Sequence, residues 1–136
     1  PADAFCRLVA THARAQAEVT LGLFPTDSPQ QFGMVDFEPS GRAVCIIDKP
    51  VQTKLTYLWG IACWGPVFTA FLAEALQRVA QGDREVVLGD VFQAAILAGL
   101  RVHVLPFPDG EYIDIGTPAT LTKAICRFSQ QAGSRT

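Results

Sequence analysis

The chain has 136 residues, enough for one domain with a sizeable core. Hydrophobic residues make up 49% of it and charged ones 18%, which excludes a disordered chain. A net charge of −2 and a pI near 5.6, without any run of Lys or Arg, leave no footprint for nucleic acid or an anionic membrane surface.

Ala2–Ala17 reads as an opening helix, with Phe5, Leu8, Val9 and His12 on one face at helical spacing. Glu18–Phe24 is a strand, closed by Pro25 and an Asp27-Ser28-Pro29 turn. Phe32–Phe37 and Ala43–Asp48, joined by Pro39-Ser40-Gly41, form a β-hairpin, and Lys49-Pro50 ends it. Val51–Thr56 is a polar loop. Leu55–Ala73 carries no charge and approaches the roughly 20 residues of a membrane span. Gly65-Pro66 cuts it in the middle. A strand at Leu58–Trp64, buried on both faces, and a helix over Pro66–Ala80 explain it better. That helix turns Phe68, Phe71, Leu72, Ala75, Leu76 and Val79 inward, and Gln81-Gly82-Asp83 stops it.

Leu88–Ala98 is the next helix, with Asp90 near its start and Gly99 as its stop. Arg101–Phe107 is a strand, and Pro108-Asp109-Gly110 turns the chain into a further short strand, Glu111–Ile115. Gly116-Thr117-Pro118 opens a last helix, Pro118–Gln131, and residues 132–136 read as a tail. Strands and helices alternate, so the expectation is an α/β fold with a mixed sheet flanked by helices, one domain over residues 1–131. Four cysteines lie far apart and form no CxxC pair, and neither His12 nor His103 completes a metal-ligand spacing. The thiols read as small buried apolar groups in a cytoplasmic protein. No signal peptide is visible.

Four phrases stand in a telling order: QFGMVDFEPSGRAVCIIDKP (31–50), YLWGIACWGPVF (57–68), LGDVFQAAILAGLRVHVLPF (88–107) and EYIDIGTPATLTKA (111–124). Together they resemble the sugar-phosphate half of the nucleotidyltransferases that join a sugar 1-phosphate to a nucleoside triphosphate. The resemblance implies a truncated Rossmann-like nucleotide-diphospho-sugar transferase fold. It also implies Mg²⁺ as cofactor, because such group transfers rest on positioning and charge neutralisation.

By the same resemblance Asp114 matches a metal-binding aspartate, and Lys49 the lysine that meets the sugar's phosphate. Asp48 stands where the family has a Glu for sugar hydroxyls and is one methylene shorter. Gly33 and Gly60 match glycines that admit the sugar ring, and Tyr57 lies near a sugar-contacting position. Trp59 stands where the family has a small residue, and its indole could fill the sugar pocket. Each has a plainer reading: Asp114 as a turn or cap acid, Lys49 as a solvated cation, the glycines as bends or bulges.

The family's Gly-rich phosphate loop has no counterpart, since no Gly-Gly dipeptide occurs. A partner for Asp114 is also missing. Asp83 and Asp90 follow glycines, but neither follows a strand. Each lost charge contact of this kind costs about 3 kcal/mol, or about 10² in rate. The expectation is therefore a domain inactive alone: a fragment, a stand-alone relic or one part of a split enzyme. The alternative is a non-catalytic sugar-phosphate-binding or assembly module. The strand Glu18–Phe24 should expose a bare edge beside bare helix faces, and a homodimer or higher homo-oligomer would cover them.

Overall fold

A computed structural model describes residues 2–79 and 86–133. Helix α1 (Ala4–Ala15) leads into β1 (Val19–Pro25), and a short 3-10 turn (Pro29–Gln31) follows. The hairpin β2 (Gly33–Phe37) and β3 (Ala43–Asp48) precedes β4 (Tyr57–Trp64). Helices α2 (Pro66–Val79) and α3 (Leu88–Leu97) lead to β5 (Val102–Pro106) and then α4 (Pro118–Gly133). The strands form one mixed sheet in the order β3-β2-β4-β1-β5; only the β1–β5 pair is parallel. The α/β architecture expected from the alternation is thus the one observed.

Alternation along the strands divides the core into two layers. One face of the sheet presents Val19, Leu21, Leu23, Val35, Ile46, Val102 and Val104 to Phe68 of α2 and to Val91, Phe92 and Ala95 of α3. Phe68 and Phe92 stack at 5.2 Å, fully buried, each side chain stabilising the fold by roughly 2–3 kcal/mol. The other face gathers Phe24, Met34, Leu58 and Phe107 with Ala4 of α1. Buried Thr20 points to this side and is satisfied by His12 Nδ1 at 3.0 Å. Helix α3 ends as Gly99 predicts. Gly99 has φ +85°, its amide donates to the Ile96 carbonyl, and the Leu100 amide donates to that of Ala95.

Several expectations give way. Residues 111–115 are not a strand: they run as a loop without ladder partners. On α1 the inward residues are Ala4, Leu8 and Thr11, while Phe5 and Val9 are 68% and 57% exposed. The helix lies with the Ala4–Leu8–Thr11 line on the sheet, and the larger side chains fall outside it. Leu76 also faces out, and β4 is buried fully only at Leu58. Helix α4 runs through residues 132 and 133, which were expected in the tail. Ala80, the Gln81-Gly82-Asp83 stop and residues 134–136 lie outside the described residues. None of the cysteines is buried: Cys6 and Cys126 are exposed, Cys45 and Cys63 partly so, all as free thiols. The β1 edge expected to be bare is not, because β5 pairs along it from Val19↔Val102 to Leu23↔Pro106. No helix among the described residues is long and apolar enough to cross a membrane.

Candidate functional site

The hairpin end and the bulged middle of β4 both meet the loop before α4, through Tyr112. Gly33 opens β2 opposite Asp48, the last residue of β3. Lys49 follows with φ 45°, in the left-handed region where a side chain is strained, and it precedes a proline, which disfavours helical conformations further. What holds it there is the hairpin's last bond, from the Lys49 amide to the Phe32 carbonyl at 3.0 Å. Both Asp48 and Lys49 are exposed, and neither joins an ion pair among the described residues.

Strand β4 slips register at its centre. Gly22 pairs with Ile61 and Leu23 with Trp59, so Gly60 is the extra residue of a β-bulge. The glycine is required: a Cβ there would stand 2.6 Å from Tyr112 Cδ2 and 2.9 Å from Phe24 Cδ2. Tyr112 also meets the Phe32 ring edge-on at 5.6 Å. Phe32 therefore ties the Lys49 backbone to the loop that carries Asp114. Sequence reading passed over Phe32 and Tyr112; an aromatic directly before Gly33 and another two residues before Asp114 were the available signal.

Asp114 sits in an exposed turn, where its Oδ1 accepts a hydrogen bond from the Gly116 amide at 2.9 Å. Thr117 and Thr120 then cap α4 reciprocally, each amide donating to the other's hydroxyl at 3.2 Å, with Pro118 at the first helical position. Below the loop, Asp109, Glu111, Ile113, Ile115, Arg127 and Phe128 line a cleft of about 570 Å³, with Glu111 ion-paired to Arg127. Burial, helped by the Asp114 charge, pushes the Tyr112 phenol above its ordinary pKa.

The predicted residues do not all share a face. Gly60 meets Tyr112 on the α1 side, whereas Gly33 and Trp59 meet on the opposite side. There the Trp59 Nε1 lies 2.5 Å from where a Gly33 Cβ would be and 3.6 Å from that of Gly89. The indole packs edge-on against Phe92 at 5.2 Å. Tyr57 packs edge-on against Phe37 at 5.9 Å, within the core beneath α2 and α3. For Mg²⁺ the donor set is thin. No group of three His, Cys, Asp or Glu residues that could hold a metal occurs among the described residues, and Asp114 already accepts a backbone bond. Mg²⁺ needs six oxygens in near-octahedral array, so these side chains do not by themselves make a resident site.

A family model described as nucleotidyl transferase matches residues 2–131. Among solved structures, the fold is similar to that of a Bacillus anthracis protein assigned as a glucose-1-phosphate thymidylyltransferase, crystallised with a sucrose. The TM-score is 0.68 at 22% identity, over 85% of this chain and 45% of that one. The chain thus spans less than half the length of that protein. No curated protein sequence matches it.

Proposed function

The chain belongs to the nucleotidyl transferase family, and from that premise we propose that it is the sugar-phosphate side of a nucleotide-sugar synthesising enzyme, unable to catalyse alone. The observation that carries this reading is the Phe32 bridge. The Phe32 carbonyl accepts from the strained Lys49 amide and the Phe32 ring packs on Tyr112, two residues before Asp114, which supports a shared phosphate site for that cation and carboxylate. Lys49 would meet the sugar's phosphate, and Asp114 would add one carboxylate to an ion held mostly by water and phosphate oxygens. On this reading the residues that cradle the triphosphate come from a second chain or segment. Residues 1–131 form a single domain on this reading, in a cytoplasmic setting.

Isothermal titration with sugar 1-phosphates and nucleoside triphosphates tests it. Binding of a sugar 1-phosphate that disappears in Lys49→Ala supports the reading, whereas silence across the panel removes it. Pyrophosphate release by the purified chain, abolished in Asp114→Asn, would overturn the inactivity.

A second reading, a non-catalytic assembly module, is favoured by the indole seated over Gly33 and by apolar side chains left in solvent. Phe5 and Val9 on α1 and Ile125 and Phe128 on α4 are all more than half exposed. Self-association would cover such surface. Light scattering coupled to size exclusion decides: a monomer at micromolar concentration removes the module.

A further inference from the structure

A separate cleft of about 370 Å³ opens between the ends of α1 and α3, beside the start of β5. It goes beyond the proposed function, since none of the residues assigned there lines it. Its lining is mixed: Ala15, Ala43, Ile96, Leu100 and Val102 give an apolar wall, and Arg42, Arg101 and His103 give the polar one.

The cleft is fixed by long-range bonds. The Val104 amide donates to the Gly41 carbonyl at 2.8 Å, and Arg42 bridges to His103 on the outer edge of β5. Gly41, at φ +85°, lets the hairpin turn lie against the imidazole; a Cβ there would stand 2.5 Å from His103 Cε1. On the far side the Arg101 amide and guanidinium both bond the Glu18 carboxylate at 2.5 Å. Arg101 is therefore neutralised. Arg42 joins no ion pair among the described residues, for the nearby Glu38 carboxylate accepts from Ser40 Oγ instead. Burial holds the His103 imidazole below its ordinary pKa, so it stands neutral at pH 7 and can donate or accept.

We infer that this cleft binds a small organic carboxylate, its anionic end on Arg42 and its compact apolar body against Ile96 and Leu100. The carbonyl ends of α1 and α3 oppose an anion here. The His12 and Ala13 carbonyls of α1 and the Ala94, Ala95 and Ile96 carbonyls of α3 are hydrogen-bonded in capping turns, and an exposed helix end contributes about 0.3–1 kcal/mol. A charge-assisted bond to a guanidinium contributes about 0.2–1 kcal/mol where solvent reaches it and about 1.5–3 kcal/mol once the ligand's body covers it, and a carboxylate makes two. The guanidinium outweighs the helix ends. The volume lies at the low end of ligand pockets, which run from about 300 to 1,000 Å³, and so selects a compact body.

The test is a two-dimensional NMR titration of the chain with benzoate, benzamide and inorganic phosphate. Benzoate should shift the Arg42, Leu100 and His103 signals saturably, at least tenfold more tightly than benzamide or phosphate. Arg42→Ala should weaken benzoate by tenfold or more, and Arg42→Lys, which keeps the charge and loses the fork, by less. The side chain is exposed and the bridge to His103 is made by backbone, so folding should be unaffected; the benzoate–benzamide contrast needs no variant at all. Equal binding of benzamide, tighter binding of phosphate, no saturable shift, or indifference to Arg42→Ala overturns the inference.

Discussion

Lys49 offers a clean separation of strain from charge. Its φ of 45° costs a residue with a Cβ about 1–2 kcal/mol relative to the right-handed region. Glycine pays no such cost but loses about 0.5–1 kcal/mol more chain entropy on folding. The Lys49 side chain is exposed and joins no ion pair among the described residues, so little else changes. Lys49→Gly should therefore stabilise the fold by about 0.5–1 kcal/mol. Lys49→Ala keeps the Cβ and the strain and should be close to neutral. The amide bond to the Phe32 carbonyl survives in both.

Urea unfolding followed by tryptophan fluorescence reads the difference. With a slope of about 1–2 kcal/mol per molar, Lys49→Gly should unfold at roughly 0.5 M more urea than Lys49→Ala. Both variants should lose sugar 1-phosphate binding alike, since both lose the ammonium. A native lysine that lowers stability while carrying binding would mark strain retained for function. If Lys49→Gly proves no more stable than Lys49→Ala, the left-handed backbone costs nothing and the reasoning fails.

Three further outcomes follow from the geometry. Burial would raise the Glu18 pKa, but hydrogen bonds from the Arg101 amide and guanidinium, with the guanidinium's charge, outweigh it and hold the carboxyl below its ordinary value. That stability is present above the unfolded pKa and lost as pH falls through the folded one, so Glu18→Gln should flatten the acid limb from about pH 4.5 downward. Superimposable acid limbs would contradict the pairing. Gly60→Val should cost about 1–3 kcal/mol by driving a Cβ into Tyr112 and Phe24, with part of the loss recovered in a Tyr112→Ala background; simple additivity in thermal melts would refute the contact. In Asp114→Asn the Tyr112 phenol should titrate lower, though still above its ordinary value because burial persists. Alkaline absorbance titration, with Tyr57 as the second tyrosine, shows whether it moves.

The elements that the sequence announces best are those with local causes. Gly99 and Pro66 bound their helices because a left-handed stop and a proline start act within a turn. The Pro39-Ser40-Gly41 turn closes the hairpin for the same reason. What stayed hidden depends on distant partners. Glu111–Ile115 has strand-like alternation, yet no free ladder reaches it, so it remains a loop. Phe5 and Val9 satisfy helical spacing, yet the angle at which α1 lies on the sheet chose Ala4 and Leu8. The pairing of β5 with β1 joins residues 83 positions apart, such as Val19 and Val102, beyond any local signal. Lys49 and Asp114 stand out in the sequence by their phrases, whereas the Phe32 and Tyr112 contacts between their segments depend on the fold.

Gly33 shows how one glycine supports two readings. Glycine leaves room for a sugar ring, and the sequence also offers the Trp59 indole as a rival for that room. Here the Trp59 indole takes it, held between Gly33, Gly89 and the Phe92 ring. Lys49, on the exposed hairpin end, is left uncovered. If the proposed function holds, recognition should then rest on the phosphate charge, with little contribution from the saccharide. Glucose 1-phosphate and inorganic phosphate should bind within about threefold of each other, under about 0.7 kcal/mol, and both should depend on Lys49. Calorimetric titration of the two in parallel measures this. Glucose 1-phosphate binding more than about tenfold tighter would mean that the indole moves aside and that the saccharide pocket still opens.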